Sequence, residues 1–251
     1  MKAFITLLSS KDYINAVLVL AKSLNYVNSQ YSLVVAVSED IYDSDLQKRL
    51  QLQRNIIIEK IDRISYSKKV INTWKDTEYQ SVLNTACKYS LFKLTKYEKL
   101  CYIDADTLVV KNVDELLERP SGSIVYYKGI PDDIGFSALY VFKPSIYLYK
   151  YYLIINSQED AVDGEIIGQS WFHVKESPAH QIPLKYCCGY QYLIHQSLDF
   201  QKDTKIVHFS GNPKPWLEPE KFTESNSFIN LYKELLGKED SSVKRSFIWI
   251  S

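Results

Sequence analysis

Two aspartates, Asp104 and Asp106, close the apolar run CYIDADTLVV and stand one alanine apart. An unpaired carboxylate is costly to bury, so such a pair is expected to face solvent, a metal ion or a substrate. In a strand both side chains point to the same face, and across a turn they converge. Either arrangement can hold one hard cation, Mn2+ or Mg2+, whose remaining ligands are substrate phosphates and water. The alternative role of Asp106 is to cap the following turn.

A second stretch, HFSGNPKPW at residues 208–216, contains groups that suit the same chemistry. His208 can supply an imidazole to the metal, and Lys214 is a point charge suited to phosphate oxygens. Gly211 lets the backbone approach a phosphate closely. Taken alone, a histidine before a Gly/Pro turn more often has a structural role. Because it occurs with the aspartate pair in one chain, we interpret His208 as a third metal ligand.

The residues around these groups alternate between short β-rich runs and stretches with helical periodicity. The runs KAFITLL, SLVVAV and NIIIEKI are predicted strands, and the segments between them are predicted helices. A third helix is predicted from about Ser81 to Thr95, and it leads into KLCYIDAD as the fourth strand. This alternation predicts an α/β fold with parallel strands covered by helices, whose ligands bind beyond the carboxyl ends of the strands. The aspartates stand at such an end.

The 251 residues can bury a full hydrophobic core, and we expect one domain over residues 1–237. Within it, SIVYY, ALYVFKPS and TKIVHFSG are further predicted strands, and Ile146 to Asn156 is a further predicted helix. Residues 238–251 are predicted to form a polar C-terminal tail that is frayed or disordered.

The composition excludes several classes of protein. Thirty basic and thirty acidic residues cancel, which argues against a nucleic-acid partner or a membrane-surface protein. The N-terminal apolar run is too short for a signal peptide, and no segment approaches the length of a membrane span, so we expect a soluble, cytoplasmic protein. The cysteines lack CxxC spacing, so buried free thiols are predicted. They are Cys87, Cys101, Cys187 and Cys188.

Four segments together resemble the glycogenin-like members of glycosyltransferase family 8. They are AFITLLSSKDYINAVLVLAKSL, YIDADTLVVKNVDELL, YVFKPS and IVHFSGNPKPW, and they lie in order between Lys2 and Trp216. The resemblance implies a single-domain GT-A fold, with a Rossmann-like nucleotide-binding mixed sheet flanked by helices. It also implies transfer of a hexose or pentose from a UDP-sugar, UDP-glucose being favoured, to an acceptor hydroxyl with retention at the anomeric carbon. The usual metal is Mn2+, with Mg2+ as the alternative.

The resemblance assigns roles to residues by position. Asp104, Asp106 and His208 match the metal ligands of the family, and Ala105 matches a backbone contact to the nucleotide. The remaining matches are donor-binding positions. They are Leu7, Ser9 and Tyr13 in the uridine loop, Lys88 on the helix before the aspartate pair, and Gly211 and Lys214 in the diphosphate clamp. An aromatic ring such as Tyr13 can stack on uracil.

The sequence departs from the family where relatives contact the transferred sugar. In place of an Asp-Gln-Gly run it has Ile166, Ile167 and Gly168, while Asp163 still matches an upstream aspartate. Lys214 is the candidate for stabilising the leaving UDP, and Asp163 or Glu165 is the candidate nucleophile if the reaction is a double displacement. The departure leaves open a UDP-sugar-binding protein with weak or no transferase activity.

A second alternative is a haloacid-dehalogenase-like phosphatase, because YIDADTLVV also resembles the DxD motif of that family. Its motif follows the first strand, however, whereas here it follows the fourth predicted strand. That reading also leaves HFSGNPKPW without a role. The partners expected under the favoured reading are a nucleotide-sugar donor, a glycan, protein or small-molecule acceptor and, by family habit, a second copy of the chain.

Overall fold

The computed structural model describes residues 1–77, 80–126, 135–158, 162, 167, 177–222 and 226–237. Strands and helices alternate through the first part of the chain. They are β1 (Lys2–Leu8), α1 (Ile14–Tyr26), β2 (Leu33–Ser38), α2 (Ser44–Gln51), β3 (Ile56–Ile61), α3 (Lys68–Trp74), a long 3-10 helix (Gln80–Lys93) and β4 (Lys99–Ile103).

Short strands are more frequent in the second part. The elements are β5 (Thr107–Val109), β6 (Ser123–Tyr126), β7 (Gly135–Phe142), α4 (Ile146–Gln158), β8 (Gln181–Ile182), β9 (Cys188–Gly189), α5 (Tyr190–Leu193), α6 (Leu198–Asp203), β10 (Ile206–His208) and α7 (Ser227–Gly237).

The main sheet has seven strands in the order β3-β2-β1-β4-β7-β6-β8. The four neighbouring strands β3, β2, β1 and β4 are parallel, whereas β7 runs antiparallel to both β4 and β6. The sheet is therefore mixed, as the resemblance implied. Because β1 and β4 are parallel neighbours, the residues that follow them meet at one edge of the sheet.

The two faces of the sheet are buried by different helices. In β1, Phe4 and Leu8 belong to the buried cluster that includes Leu20 of α1. Ile5 lies on the other face, in the cluster that includes Tyr152 of α4. This period of two is the reason that a nearly continuous apolar run forms a strand buried on both sides.

A second sheet of three strands, in the order β5-β10-β9, lies beside the first. β10 pairs with β5 in antiparallel register, so that His208 lies opposite Thr107. This pairing brings the end of β10 to the residues that immediately follow β4.

The predicted α/β fold is confirmed, with some different boundaries. The third predicted helix is a 3-10 helix over Gln80–Lys93, and β4 ends at Ile103, so the two aspartates lie in a turn and not in the strand. The hydroxyl of Thr107 bridges this turn by donating to the carbonyl oxygen of Asp104 at 2.8 Å. The turn geometry is the second of the two arrangements expected from the sequence.

Three further expectations concern the cysteines, membrane-spanning helices and the C-terminal tail. All four cysteines are free and buried, as predicted. Among the residues that the structure describes, no helix is both long and apolar enough to cross a membrane. The predicted tail, residues 238–251, lies outside the described residues, so the domain boundary at 237 stays a prediction.

Candidate active site

A cavity of about 450 Å3 opens at the carboxyl ends of β1 and β4. Its wall contains side chains from both sheets and from the long 3-10 helix. The predicted metal, nucleotide and phosphate positions in this wall are Leu7, Ser9, Tyr13, Lys88, Asp104, Ala105, Asp106, His208, Gly211 and Lys214. Asp163 and Glu165 lie outside the described residues, so their predicted role stays a prediction.

The register of β10 brings His208 to the aspartates across 102 positions of sequence. The backbone N–H of Phe209 donates to the carbonyl oxygen of Asp106 at 2.9 Å, which extends the pairing of the two strands. The Nε2 atom of His208 then lies 3.1 Å from Oδ1 of Asp106 and 3.8 Å from Oδ2 of Asp104.

In each aspartate, the oxygen directed away from His208 is held by a buried lysine. Oδ1 of Asp104 lies 3.1 Å from Nζ of Lys88 and accepts a hydrogen bond of 2.5 Å from the hydroxyl of Tyr102. Oδ2 of Asp106 accepts a hydrogen bond of 2.6 Å from Nζ of Lys214. The Asp106 carboxylate thus bonds to Lys214 and His208, and this accounts for its position without a turn-capping role.

The side chains of Asp104, Asp106 and His208 suit a divalent cation. Each can offer one ligand atom, and these atoms lie within 4.8 Å of one another. Two carboxylate oxygens and one imidazole are ligands that Mn2+ accepts readily, and Mg2+ favours the oxygens. Lys88 and Lys214 contact the outer oxygens, which are Oδ1 of Asp104 and Oδ2 of Asp106. The other oxygen of each aspartate lies towards Nε2 of His208, so these three atoms are the ones suited to a metal.

The charges in this cluster compensate one another despite deep burial. Burial by itself raises the pKa of Asp106, but the neighbouring His208 and Lys214 outweigh it and hold the pKa well below its usual range. Lys88 and Lys214 are 3% and 7% exposed, and each is paired with a carboxylate. Buried charges are tolerated only when they are paired in this way, so these four charged side chains, two lysines and two aspartates, depend on one another.

The loop after β10 turns sharply at Gly211. The φ angle of this residue is +74°, a left-handed conformation that residues other than glycine rarely adopt. Space around the residue is not the constraint, because a Cβ atom placed there would have no heavy atom within 4 Å. The loop returns Lys214 to the cavity, where its ammonium group also donates to the carbonyl oxygen of Phe209 at 2.8 Å.

Tyr13 of the cavity wall packs against Trp216. The rings of Tyr13 and Trp216 are 5.1 Å apart, edge to face, and the indole N–H of Trp216 donates to the carbonyl oxygen of Asp12 at 2.8 Å. Nζ of Lys214 lies 5.8 Å from the centre of the Tyr13 ring. Burial, with added repulsion from Asp106 and Asp104, raises the pKa of Tyr13, so the phenol stays neutral.

The sequence model of "Glycosyl transferase family 8" matches residues 4–136, just over half of the chain. The chain belongs to glycosyltransferase family 8. It is 31% identical to glycogenin-1 of Mus musculus over 226 residues, which are 86% of this chain and 65% of that protein. It is 30% identical to glycogenin-1 of Homo sapiens over 227 residues, 86% of this chain and 62% of that protein. The chain therefore spans just under two thirds of the length of these glycogenins.

A solved structure supports the fold assignment of this family 8 chain. The crystal structure of the galactosyltransferase LgtC with donor and acceptor sugar analogues superposes with a TM-score of 0.62. It covers 94% of this chain and 95% of LgtC at 13% sequence identity. The predicted GT-A fold and the glycogenin-like family assignment are confirmed, and the phosphatase reading is discarded.

Some residues of the family 8 site were not predicted from the sequence. The cavity wall also contains Trp74, Ser81, Val82, Asn84, Thr85, Tyr102, Ser210 and Asn212. A signal was available for several of them. Ser81, Asn84 and Lys88 recur at helical spacing opposite an apolar face, and Tyr102 precedes Asp104 by two positions, which places both on one side of an extended strand.

The segment that departs from the family is described at one of the positions in question. The side chain of Ile167 is fully buried, in the core cluster that includes Tyr89 and Tyr152. An isoleucine suits that apolar environment, so at this position the substitution supplies core packing. Ile166 and Gly168 lie outside the described residues.

Proposed function

We propose that this protein is a retaining, Mn2+-dependent glycosyltransferase that moves a hexose or pentose from a UDP-sugar, UDP-glucose being favoured, to an acceptor hydroxyl. The observation that carries the proposal is the convergence of Asp104, Asp106 and His208 in one cavity with Lys88 and Lys214. Family membership supports the reaction class. The glycan, protein or small molecule that accepts the sugar is not specified by the residues of this cavity.

The cavity wall supports a uridine diphosphate as the donor carrier. In the proposal, Tyr13 stacks on uracil, while the loop containing Leu7 and Ser9 forms the edge of the base pocket. The backbone at Ala105 contacts the nucleotide. Gly211 and Lys214 then lie at the diphosphate, where the left-handed turn exposes backbone and the ammonium group supplies positive charge.

The metal proposed here is Mn2+, with Mg2+ as the alternative, held by Asp104, Asp106 and His208. When bound, such an ion neutralises negative charge on a diphosphate and orients it. The role of the chain is to hold the three ligand atoms within reach of one another. Lys88 and Tyr102 on one side and Lys214 on the other hold the outer carboxylate oxygens.

In the proposed reaction, the bond between the anomeric carbon and the β-phosphate oxygen breaks, and the oxygen keeps the electron pair. Lys214 stabilises the charge that develops on the leaving UDP, which is the main contribution of the chain to catalysis. The acceptor hydroxyl attacks from the side of the departing phosphate and transfers its proton to that phosphate, so configuration is retained. A double displacement would instead need a carboxylate nucleophile, for which Asp163 and Glu165 are the candidates.

The alternative of a UDP-sugar-binding protein with weak or no transfer depends on Ile166 and Ile167. Ile167 packs in the core and does not belong to the described cavity wall, so it supplies no polar contact there, and Ile166 lies outside the described residues. Sustained release of UDP with any acceptor would eliminate it.

A cytoplasmic location is also proposed, supported by four free, buried cysteines in a chain of this size. A homodimer is proposed from family habit, and sedimentation velocity would test it.

The experiment that tests the proposed function is titration calorimetry with a panel of nucleotide sugars, with and without Mn2+. We expect binding of UDP-glucose and of other UDP-sugars only with Mn2+, and no binding of GDP-mannose. His208→Gln should lose the Mn2+-dependent binding, whereas His195→Gln, which changes an exposed histidine outside the cavity wall, should keep it. Equal binding of UDP-glucose with and without Mn2+ in the unmodified protein would contradict the proposal.

A further inference from the structure

The two oxygens of Asp104 have different surroundings. Oδ1 accepts a hydrogen bond of 2.5 Å from the hydroxyl of Tyr102 and lies 3.1 Å from Nζ of Lys88. Oδ2 is directed to the other side, 3.8 Å from Nε2 of His208. Two donors from the main sheet and its covering helix thus hold one oxygen, and the other oxygen faces the histidine.

Tyr102 is itself held firmly. It lies on β4 two residues before Asp104, and its side chain is 1% exposed. Its ring is stacked on Tyr140 with a centre-to-centre distance of 4.8 Å, and Nζ of Lys88 lies 4.9 Å from the ring centre. The hydroxyl therefore has little freedom to leave the carboxylate.

The three donors to the outer oxygens of the aspartates are Lys88, Tyr102 and Lys214, and they differ in how freely they can move. Lys88 and Lys214 have flexible stems whose charges can turn towards a bound phosphate. The hydroxyl of Tyr102 is fixed to a rigid, packed ring, and it carries no charge that a phosphate would attract. Of these three donors, it is the one expected to stay on its aspartate when a nucleotide sugar is bound.

We propose that Tyr102 is a positioning residue for the metal site. Its hydroxyl holds Oδ1 of Asp104, so that the carboxylate presents Oδ2 towards the ligand atoms of Asp106 and His208. This inference rests on the proposed function, because it requires that Asp104 binds a metal ion. Hydrogen bonds to a metal-binding carboxylate orient it and tune its affinity, and losing one typically weakens metal binding by about 10–100-fold.

The test is the affinity of the whole chain for Mn2+ alone, measured by electron paramagnetic resonance of free Mn2+. In Tyr102→Phe the ring and its stacking are kept, so the fold is expected to survive, and melting of the metal-free protein checks this. We expect the Kd for Mn2+ to rise by at least about tenfold. The spectrum of bound Mn2+ should also change, because a freed carboxylate alters the coordination geometry.

The chain contains a matched control. The hydroxyl of Tyr97 donates to Oε1 of Glu59 at 2.6 Å, and Tyr97 is 2% exposed, but neither residue belongs to the cavity wall. Tyr97→Phe removes a buried tyrosine–carboxylate hydrogen bond of the same kind elsewhere in the fold. We expect it to leave both the Kd for Mn2+ and the spectrum of bound Mn2+ unchanged.

Asp104→Asn separates failure of this inference from failure of the proposed function. If Asp104→Asn loses Mn2+ while Tyr102→Phe binds it within twofold of the unmodified protein, Tyr102 does not position the site, and the proposed function stands. An equal loss in Tyr97→Phe would also overturn the role of Tyr102. If Asp104→Asn retains full affinity, the metal site and the inference both fall.

Discussion

Asp104 and Asp106 are held by different parts of the fold. The first region is the main sheet with the 3-10 helix that covers it, and the second region is β10 with the loop that follows it. Asp104 is held by its own sheet and the covering helix, through Tyr102 and Lys88. Asp106 is held by His208 of β10 and by Lys214 of the loop that follows β10. The side chain of Asp104 is 20% exposed, whereas that of Asp106 is 11% exposed.

The difference between the regions is one of sequence distance as well as burial. Lys88 and Tyr102 lie 16 and 2 positions from Asp104, within one stretch of the chain. His208 and Lys214 lie 102 and 108 positions from Asp106. Asp106 therefore joins the second region to the first through hydrogen bonds, whereas Asp104 bonds within the first region and lies 3.8 Å from His208 of the second. Asp106 thus contributes to the stability of the fold as well as to the predicted metal site.

The largest effect is expected from removing Asp106. Asp106→Ala should abolish Mn2+-dependent UDP binding, and it should also lower the free energy of unfolding by roughly 3–5 kcal/mol, because the buried charge of Lys214 loses its carboxylate. Asp104→Ala should abolish the same binding, and it also leaves buried Lys88 without its carboxylate; the loss of stability should be smaller because Asp104 is more exposed and Asp106 still joins the two regions. Urea unfolding and calorimetry measure the two quantities. Equal destabilisation by the two variants would contradict the proposal that Asp106 contributes more than Asp104 to the stability of the fold.

A smaller effect is expected from Lys214→Met, which keeps the length of the side chain and removes its charge. Turnover should fall by about 10²-fold or more, the effect typical of losing one donor to a developing negative charge. UDP affinity should change much less. The control is Lys205→Met, because Lys205 is also paired with a carboxylate, Glu115, but lies outside the cavity wall. Turnover of Lys214→Met within threefold of the unmodified protein would exclude the proposed leaving-group role.

The smallest effect is expected from Tyr13, which belongs to the first region by sequence and contacts Trp216 of the second. Tyr13→Leu should weaken UDP binding about tenfold, because stacking of a base on an aromatic ring contributes about 1–3 kcal/mol. Tyr13→Phe keeps the ring and should bind UDP nearly as well as the unmodified protein. Calorimetry in saturating Mn2+ measures both. Similar affinities for the Leu and Phe variants would remove the proposed stacking role.

Much of the first region could be predicted from local pattern. The apolar runs of β1 and β2 and the periodicity of α1 predict parallel strands covered by helices, because each burial pattern repeats within a few residues. The same pattern predicts that the carboxylate pair at the end of the fourth strand lies at the ligand-binding edge of the sheet. Ser9 and Tyr13 were assigned by the family resemblance, and the structure places them after β1, the parallel neighbour of β4.

The sequence by itself thus determined the fold class and the carboxylate half of the site, because both depend on short-range periodicity. The resemblance named His208 as a partner of those carboxylates, but the contact itself arises from the tertiary structure. The antiparallel pairing of β10 with β5 brings His208 to Asp106, and no local pattern encodes a contact across 102 residues. The same holds for the buried place of Ile167 and for the division of each carboxylate between a lysine and the histidine side. These depend on how separate segments pack, which is a property of the folded chain as a whole.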